Sequence, residues 1–196
     1  MQGTLYDLGM APFQKMGLRH FRGRLVRNAI GNVLEIGVGT GLNFEHYEAA
    51  SHVTGIDPDR SLLEKAKERI AAFTPSERAR FEVVEGDAQA LPFADESFDT
   101  VVATLVLCTV PDPKKTLSEA KRVLKTGGRM MLIEHVRMPS RTAAAFQDLL
   151  TPMWKHIAGG CHLNRDPEPT LRALGLTIER EETRLKGLAR TWVLRK

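Results

Sequence analysis

The sequence contains little cysteine and no long apolar run. Cys108 and Cys161 are its two cysteines; they lie far apart and lack the spacing of a metal-binding motif. We therefore expect free thiols in a reducing compartment and no metal site. No stretch approaches the roughly 18 apolar residues of a membrane span, and the first residues lack the apolar core of a secretory signal. These absences exclude a disulfide-stapled or membrane-spanning class and favour a cytoplasmic protein.

Acidic residues are scarce in the first thirty positions, which carry five basic residues and one acid, Asp7. The net charge of this segment, +4, equals that of the whole 196-residue chain, so the remaining residues balance to zero. We divide the chain into an N-terminal helical cap, residues 1–30, and one domain, residues 31–196. The pattern in residues 12–30 leaves two interpretations open: a basic amphipathic helix on an anionic membrane surface, or a helix packed on the domain with solvated arginines. Nucleic-acid binding is disfavoured, because the basic residues are confined to this segment and no reader motif is present.

A glycine-rich turn follows the first apolar strand. Residues 33–41 combine an acid with three alternating glycines: Glu35, Gly37, Gly39 and Gly41. Glycine permits positive φ and removes Cβ, so the backbone can turn sharply and lie against a ligand. A strand, such a turn and a short helix from Leu42 form the ligand-binding corner of an open α/β sheet. The dinucleotide fingerprint needs its third glycine at position 42, where leucine stands, so a nucleotide-dependent oxidoreductase is the weaker alternative.

The Glu-x-Gly-x-Gly-x-Gly pattern resembles motif I of the class I S-adenosylmethionine methyltransferases and matches it at all four positions. The resemblance implies a single doubly wound, Rossmann-like α/β domain with a mostly parallel seven-stranded sheet and a C-terminal antiparallel strand. It also implies S-adenosyl-L-methionine as cofactor, with the glycines against its methionine part and Glu35 just beneath. A glycine turn without a ligand is the alternative, because short motifs also arise by chance.

Further strand ends match the same family in the same order. Asp57 ends the second strand about twenty residues past the first glycine, where an acid can accept both ribose hydroxyls. At the end of the third strand, the resemblance implies that Asp87 accepts from the adenine amino group and that the Ala88 N–H donates to the ring. Thr104 ends the fourth strand and faces the crevice, so we assign it to the methionine part. The cofactor contacts predicted at these strand ends are Asp57, Pro58, Asp87, Ala88 and Thr104.

Candidate acceptor-side residues come from several segments. Cys108 follows the fourth strand and is interpreted as pocket lining, because methyl transfer from a sulfonium needs no covalent enzyme intermediate. His135 ends the fifth strand and is the best-placed titratable group, with a structural histidine as the alternative. Residues 138–175 depart from a minimal core and are predicted to form an acceptor lid, with His162 as a second candidate proton acceptor. The remaining predicted pocket residues are Tyr6, Trp154, Cys161 and Arg165.

A narrower resemblance spans most of the chain. Residues 105–110, 134–136 and 154–165 are similar to the animal microsomal thiol methyltransferases and their small bacterial relatives, and also to phospholipid and quinone methyltransferases. Tyr6 with the following Asp resembles a pair that helps to close over the cofactor in quinone methyltransferases. The resemblance implies in-line methyl transfer to a small hydrophobic acceptor, which is a thiol, a quinol or phenol, or a lipid amine. A non-catalytic protein that binds the cofactor or a membrane surface is the rival class.

Overall fold

Seven strands form one mixed sheet in the computed structural model, which describes residues 17–196. The order across the sheet is β3-β2-β1-β4-β5-β7-β6. The first five strands pair in parallel, and β7 runs antiparallel between β5 and β6. This topology confirms the predicted α/β sheet with an antiparallel C-terminal strand. The strands are β1 (Gly31–Ile36), β2 (Ala50–Asp57), β3 (Phe81–Glu85), β4 (Phe98–Thr104), β5 (Leu124–His135), β6 (Thr177–Arg184) and β7 (Ala189–Arg195).

Helices cover both faces of this sheet. The Asp59 carboxylate caps the start of the helix at residues 60–71 by accepting from the backbone N–H groups of Ser61 and Leu62. None of the helices in the described part of the chain is both long enough and apolar enough to cross a bilayer. These helices are α1 (Arg19–Val26), α2 (Arg60–Ala71), α3 (Pro75–Arg78), α4 (Pro113–Val123), α5 (Arg141–Ile157) and α6 (Glu168–Ala173).

The central strands are buried on both sides because successive side chains point to opposite faces of the sheet. On one face, Leu34 of β1 packs in a buried cluster that includes Leu117 of α4. On the other face, its neighbour Val33 packs with Val26 of α1 and Ala66 of α2. Burial on both faces explains why these strands read as continuous apolar runs in the sequence.

The sheet order places a crevice at the carboxyl end of β1. Because β2 and β4 lie on opposite sides of β1, the connections at this point leave in opposite directions, and ligands bind at such switch points in open α/β sheets. The same edge of the sheet carries the ends of β2, β4 and β5. The predicted residues at the ends of these strands, Asp57, Thr104 and His135, therefore lie along one edge.

The described part of the basic N-terminal segment packs on the domain. Val26 and the guanidinium-bearing Arg22 are buried, whereas Arg19 is exposed and pairs with Glu45 at 2.7 Å. Residues 19–26 thus pack on the domain, although the burial of Arg22 departs from the expectation of solvated arginines. The division into a cap, residues 1–30, and a domain, residues 31–196, stays a prediction. Contact of this segment with a membrane stays a prediction, and Tyr6 lies outside the described residues.

One local prediction is corrected by the structure. A short 3₁₀ turn, Phe44–His46, stands where the sequence predicts a helix from Leu42. The reason lies in Phe44, whose side chain is buried in the core and packs on Phe81 of β3 with ring centroids 5.1 Å apart. The chain after the glycines therefore makes 3₁₀ hydrogen bonds, such as the one from the His46 N–H to the Asn43 carbonyl at 2.8 Å, while the Phe44 ring packs in the core.

Candidate active site

The glycine turn, residues 37–41, uses its glycines in two different ways. Gly37, Gly39 and Gly41 have φ of +65°, +55° and +79°, a region that L side chains rarely adopt. A Cβ on Gly37 would stand 2.4 Å from a methyl of Val106, so that position must be glycine for packing. A Cβ on Gly39 would meet no atom of residues 17–196 within 4 Å. The turn therefore presents bare backbone to open space at Gly39, where a ligand can lie.

Asp57 joins the end of β2 to this turn. Its Oδ2 accepts from the Gly39 N–H at 2.9 Å, and its Oδ1 accepts from the Asp59 N–H at 2.9 Å. Burial raises the pKa of this carboxyl, and the two N–H donors oppose that rise. Each oxygen keeps a second lone pair, so the carboxylate can also accept from two ribose hydroxyls. Pro58 follows as an exposed residue.

Glu35 lies beneath the glycine turn in a buried polar network. Its carboxylate accepts from Asn43 Nδ2 at 2.8 Å and from the Tyr47 hydroxyl at 2.8 Å. Asn43 also donates to Oγ1 of Thr104 at 3.1 Å, which links β1 to the end of β4. Burial raises the pKa of Glu35 to about 7. The glycine motif does not identify Asn43 and Tyr47 as partners of Glu35. The sequence indicates only that an acid in a buried strand needs hydrogen-bond donors close to it.

The end of β3 lies beside Asp57. The Gly86 N–H donates to the Asp57 carbonyl at 3.1 Å, so the next residue, Asp87, is brought to the same edge as the ribose acid. The Asp87 carboxylate is exposed and accepts from the backbone and side-chain N–H groups of Gln89. Ala88 is buried against the core. Both residues therefore lie where the sequence placed the adenine end of the cofactor.

Glu134, a buried acid to which no role was assigned from the sequence, holds the turn after β4. Leu105 adopts a left-handed φ of +59°, which costs free energy for a non-glycine residue. The N–H groups of Val106 and Leu107 then both donate to Oε1 of Glu134 at 2.8 Å. Burial raises the pKa of Glu134 to about 7. This clamp fixes the backbone that leads directly to Cys108.

Two thiol sulfurs and one imidazole nitrogen come together beyond this turn. They belong to Cys108, Cys161 and His135, which we call the cysteine–histidine cluster. Their donor atoms lie within 4.8 Å of one another, and His135 Nε2 is 2.9 Å from Cys161 Sγ. Both cysteines are buried free thiols. Nothing in their spacing along the chain indicates this grouping, which arises because β4, β5 and the lid end at one edge.

The three side chains of the cluster shift one another's pKa values. The Cys108 thiol donates to the Leu105 carbonyl at 3.4 Å. The contact between the Cys108 and Cys161 side chains, together with His135, lowers the pKa of Cys161. The same contact and burial raise the pKa of Cys108. Burial lowers the pKa of His135, but the interaction with Cys161 outweighs it and the net shift is upward. Cys161 is therefore the thiol that ionises first, with His135 as its partner.

The predicted lid is fastened over the ends of β4 and β5. Buried Gln147 of α5 donates to the carbonyls of Val136 and Leu163 at 3.1 and 2.8 Å, and its Oε1 accepts from the Met138 N–H at 2.8 Å. Arg165 donates to two carbonyls of the turn after β4, at 2.6 and 2.7 Å. Arg165, assigned to the acceptor pocket from the sequence, thus uses its guanidinium to hold the pocket wall.

The remaining predicted lid residues lie close to the cluster. The His162 N–H donates to the Cys108 carbonyl at 2.8 Å, and its ring Nδ1 lies 3.3 Å from the same oxygen. Trp154 is half-buried and close enough to Cys161 to lower the pKa of that thiol, and its indole N–H has no hydrogen-bond partner among the described residues. The structure therefore brings His162 and Trp154 to the edge where Cys108 and Cys161 meet.

These residues fit S-adenosyl-L-methionine, the cofactor implied by the strand-end motifs. The open space at Gly39 admits a ligand against the backbone, and the Asp57 carboxylate beside it can bind hydroxyls. Val106, in contact with Gly37, joins this cofactor side to the turn that carries Cys108. The cofactor crevice and the cysteine–histidine cluster are thus consecutive parts of one edge of the sheet.

Comparison with known proteins agrees with this geometry. The family model described as a methyltransferase domain matches residues 34–132, about half of the chain. A thiol S-methyltransferase of Rattus norvegicus is 42% identical over 135 residues, which are 68% of this chain and 55% of that protein. A phosphatidylethanolamine N-methyltransferase of Cereibacter sphaeroides is 38% identical over 122 residues, covering 61% and 58% of the two chains. The chain thus spans little more than half the length of these relatives.

A solved structure shows the same fold over nearly the whole chain. An S-adenosylmethionine-dependent methyltransferase of Mesorhizobium loti superposes with a TM-score of 0.69 at 19% identity, covering 89% of this chain and 95% of that one. This coverage is larger than that of residues 34–132, which the family model matches. With its glycine turn, its acid at the end of β2 and its sheet order, the chain belongs to the methyltransferase domain family, with S-adenosyl-L-methionine as its cofactor.

Proposed function

We propose that the protein transfers a methyl group from S-adenosyl-L-methionine to a small, hydrophobic thiol. The observation that carries the proposal is the continuity of the cofactor crevice with the cysteine–histidine cluster: Val106 touches Gly37 on one side, and Cys108 follows two residues later. The thiol S-methyltransferase relative supports the choice of acceptor, since the similarity covers 68% of this chain.

The bound cofactor supplies an electrophilic methyl group on a sulfonium. The chain's own task is to position the acceptor and to exclude water. Val106 and Leu107, which are 6% and 1% exposed, line the approach and are fixed by the Glu134 clamp. An apolar wall of this kind suits a small hydrophobic molecule better than a nucleic acid or a protein tail.

The environment of the candidate bases favours a thiol over a phenol or an amine. A thiol ionises close to neutral pH and needs little help from a base. The other acceptors need a general base within hydrogen-bonding reach. His135 Nε2 already contacts Cys161 at 2.9 Å, and the His162 ring lies against the Cys108 carbonyl. Each of these two ring nitrogens is already engaged, whereas His135 Nδ1 is buried without a hydrogen-bond partner among the described residues. An acceptor that ionises by itself therefore makes the smallest demand on this site.

Calorimetric titration of S-adenosylhomocysteine tests the cofactor site. We expect binding by the wild type and by Glu85→Ala, and at least a tenfold weaker binding by Asp57→Ala. Glu85 is the matched control, because it pairs in register with Asp57 on the neighbouring strand but is exposed. Failure of the wild type to bind, or equal binding by both variants, would contradict the assignment.

A turnover comparison tests the acceptor. An alkyl thiol, a quinol and an amine-headed lipid are supplied separately with the cofactor, and methylated product is measured by mass spectrometry. We expect the thiol to be methylated at least tenfold faster than the other two. A faster reaction with the quinol or the lipid would overturn the choice of a thiol, and cofactor binding without any turnover would favour a binding protein.

A further inference from the structure

We propose that the cysteine–histidine cluster is a Zn²⁺ site whose fourth coordination position takes the thiolate of the acceptor. This inference rests on the proposed function and goes against the sequence-based expectation of no metal site. Its ligands are Cys108 Sγ, His135 Nε2 and Cys161 Sγ.

The donor set has the chemistry and the dimensions of a zinc site. Zn²⁺ binds thiolate sulfur at about 2.3 Å and imidazole nitrogen at about 2.0 Å, so two sulfurs on one tetrahedral ion lie ~3.8 Å apart. The three donor atoms lie within 4.8 Å of one another. Shifts of about 1 Å or less bring them around one ion. Three protein ligands leave one position open, which is the arrangement of catalytic rather than structural zinc.

The three ligands are held by separate elements that are tied together. The turn carrying Cys108 is clamped by Glu134 on one side and by Arg165 on the other. His135 is the last residue of β5. The N–H of His162, next to Cys161, donates to the Cys108 carbonyl at 2.8 Å and joins the two cysteine-bearing segments through their backbones. The cluster is therefore built by the fold and does not depend on chance rotamers of surface side chains.

A Zn²⁺ ion at this cluster would bind the sulfur of an acceptor thiol and favour its ionised form. Both protein thiols lose their protons to solvent when the metal binds. The acceptor thiol binds as its thiolate and releases its proton to water. Its sulfur lone pair then forms a bond to the methyl carbon, while the bond from that carbon to the sulfonium breaks and its electron pair stays on the cofactor sulfur. The neutral thioether product is a weaker ligand and leaves.

Metal content and spectroscopy test the site without relying on activity. The full chain, purified anaerobically, is dialysed against Zn²⁺ and then buffer, and bound metal is counted by mass spectrometry. We expect one equivalent in the wild type and in His156→Asn, an exposed imidazole of the lid outside the cluster. Cys161→Ser, Cys108→Ser and His135→Asn should each bind the metal at least tenfold more weakly. In the Co²⁺-substituted wild type, an added alkyl thiol should intensify the thiolate-to-cobalt absorption.

Several results would overturn the zinc site while leaving the proposed function intact. These are a wild type that retains no metal, unchanged metal content in both cysteine variants, or a Cys108–Cys161 disulfide in the anaerobic preparation. Thiol methylation at an unchanged rate after chelation would also overturn it. S-adenosylhomocysteine binding is measured on the same samples, because its loss in the wild type contradicts the proposed function itself.

Discussion

The Gly39 N–H donates a 2.9 Å hydrogen bond to Oδ2 of Asp57. This contact joins the only glycine of the turn that faces open space to the acid at the end of the neighbouring strand. The two features that the sequence suggests separately, a glycine motif and an acid about twenty residues later, are therefore parts of one ligand-binding unit. A change at either residue should disturb both contacts with the cofactor.

Gly39→Ala should weaken cofactor binding beyond its effect on stability. Gly127 is a matched control, because it also has a positive φ, of +79° against +55°, and open space around the missing Cβ. Alanine in this conformation costs about 1 kcal/mol, so both variants should lose a similar free energy of unfolding in urea. Only Gly39→Ala puts a methyl group into the cofactor crevice, and we expect at least tenfold weaker binding of S-adenosylhomocysteine. Equal affinities for the two variants would contradict this placement of the crevice.

Glu35 should make the protein less stable as the pH rises. Its pKa is about 7 in the folded protein against an ordinary 4.5, so the folded state holds a proton that the unfolded state has lost between these values. Stability is therefore lost as the pH rises through this interval and is constant above it. Urea unfolding at pH 5 and pH 8 should show that the wild type loses about 2–3 kcal/mol relative to Glu35→Gln.

The structure allows this substitution and supplies its control. Asn43 Oδ1 is buried and has no hydrogen-bond partner in the described part of the chain, so rotation of the Asn43 amide can present an acceptor to the new glutamine N–H. Glu85→Gln, at an exposed position, should keep the wild-type pH dependence. Parallel stability curves for the wild type and Glu35→Gln would show that Glu35 does not titrate as described.

Gln147→Leu should loosen the lid. The substitution leaves the carbonyls of Val136 and Leu163 and the Met138 N–H without their buried partner, and we expect a loss of about 3 kcal/mol. The measurement is the rate of thermolysin cleavage within residues 138–166, combined with urea unfolding. Asp148→Ala, the next residue on α5, removes an exposed ion pair and should change both quantities much less. A larger effect of Asp148→Ala would mean that the surface pair, not Gln147, fastens the lid.

Much of the fold could be predicted because its signals are local. Apolar runs mark the buried strands, and the positive φ of Gly37, Gly39 and Gly41 explains why glycine stands at each position. Asp57 could be identified from its distance along the chain to the glycines. The expected helix from Leu42 failed because the burial of Phe44, a tertiary contact, decides the conformation there.

The sequence by itself determined the sheet class, the cofactor corner and the acids at the strand ends, since backbone conformation and strand burial depend on neighbouring residues. Only the tertiary structure decided what those residues touch. It gave buried Glu35 its donors, Asn43 and Tyr47, and used Glu134 to clamp the turn after β4. It also brought together Cys108, His135 and Cys161, which lie on three segments. Such groupings depend on which strands are adjacent and on where the lid folds back, and these are set by packing of the whole chain rather than by spacing along it.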